Sequence, residues 1–218
     1  MHSMTFWRAL LMLLSGLTAT VSAQQAAQAV IDNQWVHVVR LKQGAHEKST
    51  IKETAPAVLV YLTDVHQRVT GVDGKTHVLA HKAGEVAYLT APASAEENLS
   101  GQATEAVLIE LKPGAPKSPP VALDPVKIDP AHHIVLLDND RVRAFRTVLE
   151  PHLKGPEHEH PHYVVVYLTE LHTTMKLAGG RTIDNRRQPG EIAWRDPLKH
   201  ITENIGDHTA MEIQVEIK

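Results

Sequence analysis

The stretch VVVYLTELH at residues 164–172 is a repeat, because VLVYLTDVH at residues 58–66 differs from it only by conservative changes. The same offset of 106 residues (164 minus 58) aligns further segments of the chain without a gap. They are DNQWVHVVR (32–40) with DNDRVRAFR (138–146), and KAGEVAYLT (82–90) with QPGEIAWRD (188–196). Self-similarity at one fixed offset is typical of duplicated structural units. The repeat therefore predicts two equivalent domains.

Within each copy the hydrophobic pattern is that of β-strands. Short runs and alternations of Val, Ile, Leu and Tyr are separated by turn sequences such as DGK (73–75) and AGGR (178–181). Such runs are typical of strands, and no later segment shows a long 3.6-residue period. The sequence predicts an all-β protein of two small antiparallel sandwiches or barrels.

Residues 1–23 have the pattern of a secretory signal peptide. Arg8 precedes the apolar run ALLMLLSGLTATV, and Val21-Ser22-Ala23 offers small residues for cleavage before Gln24. The run is shorter than the roughly 20 residues that span a bilayer, so an uncleaved membrane anchor is the weaker alternative. We expect a periplasmic or secreted protein without a membrane span after signal removal.

Composition and proline content set further bounds. The chain has 218 residues, a net charge of -3 and no cysteine, so disulfides and thiolate zinc sites are excluded. No run of basic residues indicates a nucleic-acid partner. Residues 113–131 hold six of the thirteen prolines, which favours a semi-rigid linker over a helix or a central strand. The predicted domains are therefore 24–112 and 132–218, joined by this linker.

The segment GPEHEHPHY (155–163) carries the chain's densest group of candidate metal ligands: His158, His160 and His162. Side chains at i and i+2 of a strand share a face, so the three histidines are expected on one face of their strand. The aromatic and apolar alternation that follows (Tyr163, Val165, Tyr167) is expected on the other. A histidine-rich turn in solvent is the alternative interpretation.

The second copy resembles the cupin family. The residues that carry the resemblance are His158-Glu159-His160, Pro189-Gly190 about thirty residues later, and then Pro197, His200 and Asn204. It is most similar to exported bacterial cupin-domain proteins, and with the repeat the chain looks like a bicupin, two tandem jelly-roll barrels. The resemblance implies that His158, His160 and His200 bind a divalent metal, with Fe, Zn, Mn, Ni and Cu not distinguished. Cupins usually add a glutamate where this chain has Val164 or Val165, so the fourth ligand is open and His162 is a candidate for it.

The first copy acts as an internal control for these ligands. The positions aligned with His158, His160 and His200 hold Lys52, Thr54 and Ser94. The histidines are therefore not required by the repeated fold, and the N-terminal domain is predicted to lack metal ligands.

Other residues are present in both copies, which favours structural roles for them: His46/His152, His66/His172, Gly84/Gly190, Asn98/Asn204 and Glu97/Glu203. We expect the glycines to occupy turns and the asparagines to hold loops through backbone hydrogen bonds. Trp194, aligned with Tyr88, is expected to be a core aromatic.

Three functions remain open at this point. The first is a metal-dependent enzyme, with dioxygenase-, isomerase- or hydrolase-like chemistry on a small oxygenated molecule. The second is a non-catalytic envelope protein that binds a metal or a small metabolite, and the third is a structural protein without a ligand. A homodimer is a candidate assembly. An acid or base facing the barrel interior would favour the enzyme, although the sequence identifies no such group.

Overall fold

The computed structural model describes residues 29–50, 56–90 and 93–218. Within these residues the N-terminal half contains the strands β1 (Ala29–Asp32), β2 (Val36–Gln43), β3 (Lys48–Thr50), β4 (Ala57–Tyr61), β5 (Val65–Gly71), β6 (Thr76–His81), β7 (Val86–Leu89), β8 (Ala93–Asn98) and β9 (Thr104–Leu111). The C-terminal half contains β10 (His133–Asp138), β11 (Val142–Leu149), β12 (His158–His160), β13 (Tyr163–Tyr167), β14 (Leu171–Leu177), β15 (Thr182–Arg187), β16 (Ile192–Arg195), β17 (Leu198–Asn204) and β18 (Ala210–Ile217).

Each half is a pair of antiparallel sheets with the same strand order. The N-terminal barrel combines β1-β2-β9-β4-β7 with β3-β8-β5-β6, and the C-terminal barrel combines β10-β11-β18-β13-β16 with β12-β17-β14-β15. These non-sequential neighbours are those of a jelly roll, in which the chain crosses repeatedly between two facing sheets. The prediction of an all-β chain with two equivalent barrels is confirmed. The predicted signal peptide lies outside the described residues.

The two barrels share one apolar core between their five-stranded sheets. Val58 and Val60 of β4 pack in the same cluster as Val164 and Val166 of β13, and all four side chains are fully buried. The alternate residues of β13 face the interior of their own barrel instead. A strand with both faces buried must be apolar throughout, which accounts for the uninterrupted run in the sequence.

Reciprocal hydrogen bonds connect the barrels across this core. Arg40 of β2 donates to the carbonyl oxygen of Gly190, and Arg146 of β11 donates to that of Gly84 at 3.4 Å. Both glycines have φ of +80°, a conformation that side chains other than glycine's rarely adopt. The expected turn role of the two glycines is confirmed, and the internal repeat becomes an approximate twofold relation between the barrels.

Asn98 and Asn204 are completely buried and hold equivalent loops. The Asn98 side-chain amide donates to the carbonyl oxygens of Gly44 and Gln102. The Asn204 amide donates to three carbonyl oxygens, those of Leu149, Glu150 and His208. The predicted backbone-tying role is confirmed for both asparagines.

The segment between the barrels contains one helical turn, α1 (Pro125–Ile128), where we expected no helix. Asp124 caps it by accepting a hydrogen bond from the Val126 N–H at 3.1 Å, and Pro125 stands in the first turn, where a missing N–H costs nothing. The proline content therefore favoured the start of a short helix here. The same segment also packs against β12, since the Glu159 N–H donates to the Leu123 carbonyl oxygen at 2.8 Å.

Candidate metal centre

Three histidines converge inside the C-terminal barrel from two neighbouring strands. His158 and His160 occupy alternate positions of β12, and His158 lies opposite His200 of the antiparallel strand β17. Their side-chain nitrogens lie within 4.8 Å of one another, and each residue is at most 4% exposed. The alternation of a strand therefore places the first two on one face, and strand pairing adds the third.

Hydrogen bonds at Nδ1 fix the orientation of each ring. His158 Nδ1 lies 2.9 Å from the Pro156 carbonyl oxygen, His160 Nδ1 lies 3.0 Å from Glu216 Oε1, and His200 Nδ1 lies 3.0 Å from Thr202 Oγ1. A carbonyl or carboxylate partner requires the proton on Nδ1, which leaves Nε2 with a free lone pair. The buried Nε2 atoms of His160 and His200 have no hydrogen-bond partner in the protein.

This donor set fits a divalent metal ion. Neutral imidazole nitrogens are the form that binds metal, and a ring whose other nitrogen is held by an acceptor is the usual arrangement in metal sites. Burial, followed by the charges of neighbouring histidines, lowers the pKa of His200 to about 2 and that of His160 well below its ordinary value. The rings are therefore neutral near neutral pH.

A buried chain of charged groups supports His160 from behind. Glu216 accepts from His160 through Oε1 and from Arg143 Nε through Oε2, at 2.9 Å for the arginine. Arg143 also donates to Asp124 Oδ2 at 2.9 Å, so this series of charged side chains extends to the residue that caps helix α1. Burial raises the pKa of Glu216 to about 7 although Arg143 opposes the shift. The linker between the barrels thus takes part in positioning a candidate ligand.

His162 lies apart from this cluster. Its ring stacks on Trp35 of the N-terminal barrel at 4.1 Å between centroids and on Trp194 at 5.6 Å. The chain bends at Pro161 as it passes from one sheet to the other, which turns His162 toward the other barrel. The structure therefore does not bring the candidate fourth ligand to the other three histidines, and Trp194 packs at the core between the barrels as expected.

The same bend makes the expectation for the next strand wrong. Tyr163, Val165 and Tyr167 were expected to face away from the histidines, but they line the same pocket as His158 and His200. The alternation along β12 does not continue into β13, because the two strands belong to opposite sheets whose inner faces look at each other.

A fourth buried histidine, His133, was missed by the sequence analysis. It is 3% exposed, its ring lies edge-on to that of His158 at 5.3 Å, and its Nδ1 lies 3.0 Å from the Asp129 carbonyl oxygen. It lines the pocket without joining the group whose nitrogens converge. No sequence signal pointed to it, because His132-His133 at the start of β10 matches no ligand motif of the resemblance and has no counterpart in the first copy.

The pocket beside the histidines occupies about 630 Å³ including its opening to solvent. Part of its lining is apolar, with Leu149, Val165, Leu171 and Met175. The lining also includes polar and charged groups that the sequence analysis did not identify: Thr147, Asn185, Arg195, Glu212 and Gln214. A cavity of this kind, largely apolar with a few convergent polar groups, is typical of small-molecule sites.

Two of these polar residues, Arg195 and Gln214, form hydrogen bonds to other residues of the pocket lining. Arg195 donates to the Tyr167 hydroxyl at 3.2 Å, and Gln214 donates to a carboxylate oxygen of Glu212. Burial raises the pKa of Glu212. Glu212 is therefore a carboxyl group at the pocket that the sequence analysis did not identify.

The N-terminal barrel has no corresponding histidine cluster among its described residues. Lys52 and Thr54 lie outside those residues. Ser94, aligned with His200, is exposed, and its hydroxyl donates to the carbonyl oxygens of Thr70 and Gly71 at 3.1 Å. Glu203, present in both copies, pairs with Lys154 at 3.3 Å outside the histidine cluster.

Comparison with known proteins supports the fold. No protein-family model matches the sequence, and no curated protein sequence matches it. The chain is similar in structure to AerE from Microcystis aeruginosa, with a TM-score of 0.60, 10% identity, and coverage of 88% of this chain and 97% of that one. A cupin 2 conserved barrel domain protein from Leptotrichia buccalis gives a TM-score of 0.55 at 9% identity, covering 91% and 92%.

A two-barrel enzyme provides the third comparison. Oxalate decarboxylase from Bacillus subtilis matches with a TM-score of 0.57 at 10% identity, over 84% of this chain and 68% of that one. Another structure of that enzyme, with a TM-score of 0.53, belongs to a study of its Mn(II) centres. Identities this low establish the fold alone. With its two jelly-roll halves in tandem, the chain has the same two-barrel fold as these cupin proteins.

Proposed function

We propose that this protein is an exported, metal-dependent bicupin that acts on a small oxygenated molecule in its C-terminal barrel. The observation that carries the proposal is the convergence of His158, His160 and His200, with two buried Nε2 atoms that no protein group satisfies. A bound divalent metal would supply Lewis-acid chemistry and open coordination positions, because three neutral ligands do not fill its shell. The part of the chain that the structure describes contains no helix long and apolar enough to cross a membrane.

The enzyme is favoured over a passive binder by Glu212. This carboxyl group lines the same pocket as His200, and burial raises its pKa toward the range in which it can take up or release a proton at a substrate. A protein that only stored a metal would gain nothing from such a group beside an open pocket. Non-catalytic binding of a small metabolite in the cell envelope is the second candidate function, and the metabolite pocket itself is the observation that favours it.

Metal analysis tests the central assignment. We expect about one equivalent of a divalent metal in the purified mature protein, and none in the triple variant His158→Ala, His160→Ala, His200→Ala. The matched control is His37→Ala, His66→Ala, His172→Ala, which removes three histidines outside the cluster and should keep the metal. Equal metal content in the wild type and the first variant would contradict the site. The same measurement, by elemental mass spectrometry, identifies the metal among Fe, Zn, Mn, Ni and Cu.

Turnover separates the enzyme from the binder. The metal-loaded protein should convert a member of a panel of small phenolic, keto-acid and sugar substrates, followed by oxygen uptake and by product analysis. Glu212→Gln should lose turnover and keep its metal, since it retains the shape of the side chain but cannot exchange the proton. Binding without turnover across the panel would favour the second candidate function.

Export is a separate part of the proposal and has its own test. Expression of the full chain in a bacterial host, followed by cell fractionation and N-terminal sequencing, should give a periplasmic or secreted protein that begins at Gln24. Retention of Met1 in a cytoplasmic or membrane fraction would contradict it.

A further inference from the structure

Arg195 lies on the wall of the C-terminal barrel, where strand β16 pairs with β13 at Tyr163. Its side chain lines the same pocket as His158 and His200, so the charge of the guanidinium is directed into the space beside the histidine cluster. The positive charge is close enough to contribute to the lowered pKa of His200.

No carboxylate of the residues that the structure describes forms a salt bridge with the guanidinium, although the more distant charge of Glu212 contributes to the raised pKa of Arg195. Its hydrogen bond to the Tyr167 hydroxyl, at 3.2 Å, engages one of five N–H donors. Two other partly buried arginines of the same barrel are paired, Arg143 with Glu216 and Asp124 and Arg187 with Glu191, whereas Arg146, at the contact between the barrels, bonds to the carbonyl oxygen of Gly84. A charge withdrawn from water without a partner is costly, so it is retained where a ligand can pair with it.

Glu212 is in the same pocket but is a weak counter-ion. Burial raises its pKa, although the Gln214 hydrogen bond and the charge of Arg195 oppose the shift, and its carboxylate accepts a hydrogen bond from Gln214 instead of from the arginine. Gln214 Oε1 and Thr147 Oγ1, which also line the pocket, are buried without a hydrogen-bond partner in the protein. The pocket therefore presents an unpaired cation together with polar groups that can bind a ligand's oxygens or hydroxyls.

The N-terminal barrel shows that the fold does not need these groups. Arg195, Glu212 and Gln214 lie opposite Tyr163, Tyr167 and Val165, and the same pairs in the other barrel are Leu89 with Ala57, Ala106 with Tyr61, and Leu108 with Leu59. Asn185, opposite Thr173, corresponds to Leu79 opposite Gln67. Identical backbone positions are thus apolar in the barrel without the histidine cluster, and polar in the barrel that has it.

We propose that Arg195 is the anchor for the carboxylate of a small organic acid whose remaining oxygens face the histidine cluster. The planar guanidinium matches a carboxylate through two parallel hydrogen bonds, and the Tyr167 hydroxyl holds it in position for that contact. The apolar side chains of Val165, Leu171 and Met175 in the pocket lining fit the short carbon chain of such an acid, which a bare inorganic anion would not use. This inference rests on the proposed function and names the substrate class of the same site.

Calorimetric titration of the metal-loaded protein tests the inference without requiring turnover. The probes are acetate, lactate, malonate and succinate, with lactamide and inorganic phosphate as comparisons. At least one carboxylate should bind the wild type, and lactamide and phosphate should bind at least tenfold more weakly. Arg195→Gln should weaken the carboxylate about ten- to a hundredfold, with unchanged metal content. The matched control is Arg186→Gln, which removes an exposed arginine paired with Asp184 outside the pocket and should bind like the wild type.

Several results would overturn the inference: no binding by any carboxylate of the panel, equal binding of lactamide or phosphate, or equal affinity in Arg195→Gln. If Arg195→Gln does not fold, as judged by circular dichroism, Arg195→Lys replaces it. That variant keeps the charge but not the planar fork, so it should bind the carboxylate more weakly than the wild type, and wild-type affinity would contradict the inference. Metal retained with no effect of Arg195 would refute only the carboxylate anchor, whereas absence of metal from the wild type would refute the proposed function.

Discussion

The interior of the N-terminal barrel is largely filled by apolar side chains, including Leu59, Leu108 and Leu89, at the positions where the C-terminal barrel carries Val165, Gln214 and Arg195. The two barrels have the same strand order and the same registers between these strands. One backbone therefore supports either a closed core or a polar pocket beside three histidines. The difference teaches that the fold depends on the faces packed between the barrels, while the inner faces are free to carry a site.

The polar groups that the N-terminal barrel does bury satisfy one another. Gln67 donates to Gln43 at 3.0 Å, and Gln43 donates to the Ser49 hydroxyl at 3.0 Å. In the C-terminal barrel, by contrast, His160 Nε2, His200 Nε2 and Gln214 Oε1 have no such partner. Buried polar atoms are normally satisfied within a native protein, so unsatisfied atoms grouped around one pocket indicate a binding site.

The largest expected effect comes from removing the carboxylate that supports the histidine cluster. Glu216→Ala should lower the free energy of unfolding by about 3–5 kcal/mol, because it leaves the buried Arg143 without one of its two carboxylates and removes the acceptor of His160. It should also weaken metal binding about ten- to a hundredfold. Denaturant unfolding and metal titration measure the two effects. Glu216→Gln, which keeps one acceptor oxygen, should be milder, and an equal loss in both variants would contradict this account.

The two completely buried asparagines should contribute equally to the stability of the two barrels. Asn98→Ala and Asn204→Ala should each lower the free energy of unfolding by about 3 kcal/mol, since each leaves several loop carbonyl oxygens and one N–H unsatisfied. Thermal and urea unfolding of the two variants give the values. Metal content should be unchanged in both. A loss of metal in Asn204→Ala alone would show that this loop also shapes the site.

The N-terminal barrel should add a pH-dependent contribution to the stability that has no counterpart at the aligned position of the other barrel. Burial raises the pKa of Glu96 to about 7 from an ordinary value of 4.5, and the aligned residue of the other barrel is Thr202. The folded state holds the proton more tightly, so the stability that this group adds is full below pH 4.5 and is lost as the pH rises through about 7. Glu96→Gln should remove this loss, worth on the order of 2 kcal/mol.

The control for this prediction is Glu97→Gln. Glu97 is paired with Arg68 and Lys48, which lower its pKa against the effect of desolvation. Urea unfolding of the three proteins between pH 4 and pH 8 compares them. Parallel pH profiles for the wild type and Glu96→Gln would show that Glu96 is not protonated in the folded barrel.

The smallest expected effects concern the contact between the barrels. Arg40→Met and Arg146→Met should each reduce the free energy of unfolding by about 1 kcal/mol, because each removes a hydrogen bond to a glycine carbonyl oxygen of the other barrel, and the partly exposed pair of Arg40 with Glu105 adds little to this loss. Similar losses would support the approximate twofold relation. Arg68→Met, which removes an exposed ion pair within one barrel, is the control and should change the value by no more than about 0.5 kcal/mol. Equal losses in all three variants would contradict a specific role at the interface.

Much of this organisation was predictable from local sequence. The repeat required two equivalent domains, the positive φ of Gly84 and Gly190 followed from paired turn glycines, and the loop role of the asparagines followed from their presence in both copies. His158, His160 and His200 could be grouped because two lie at strand spacing and the third belongs to a resembling motif. Each of these inferences depended on patterns that are readable within one copy or by aligning two.

The failures have a common physical origin. His162 and Tyr163 were placed on the wrong faces because the chain changes sheets at Pro161, and a periodicity cannot be extended across such a bend. Arg195, Glu212 and Gln214 were missed because each looks like an ordinary polar residue of an alternating strand, and in many strands that face is in solvent.

By itself, the sequence determined the duplicated all-β architecture and the pair His158 and His160, because strand alternation is a short-range regularity, and the resemblance of its motifs added His200. Only the tertiary structure decided which polar side chains share the pocket with them, and that His162 packs against Trp35 and Trp194 instead. The reason is geometric: two facing sheets bring together strands that are far apart in the chain. The direction of each inner face depends on where the chain crosses from one sheet to the other.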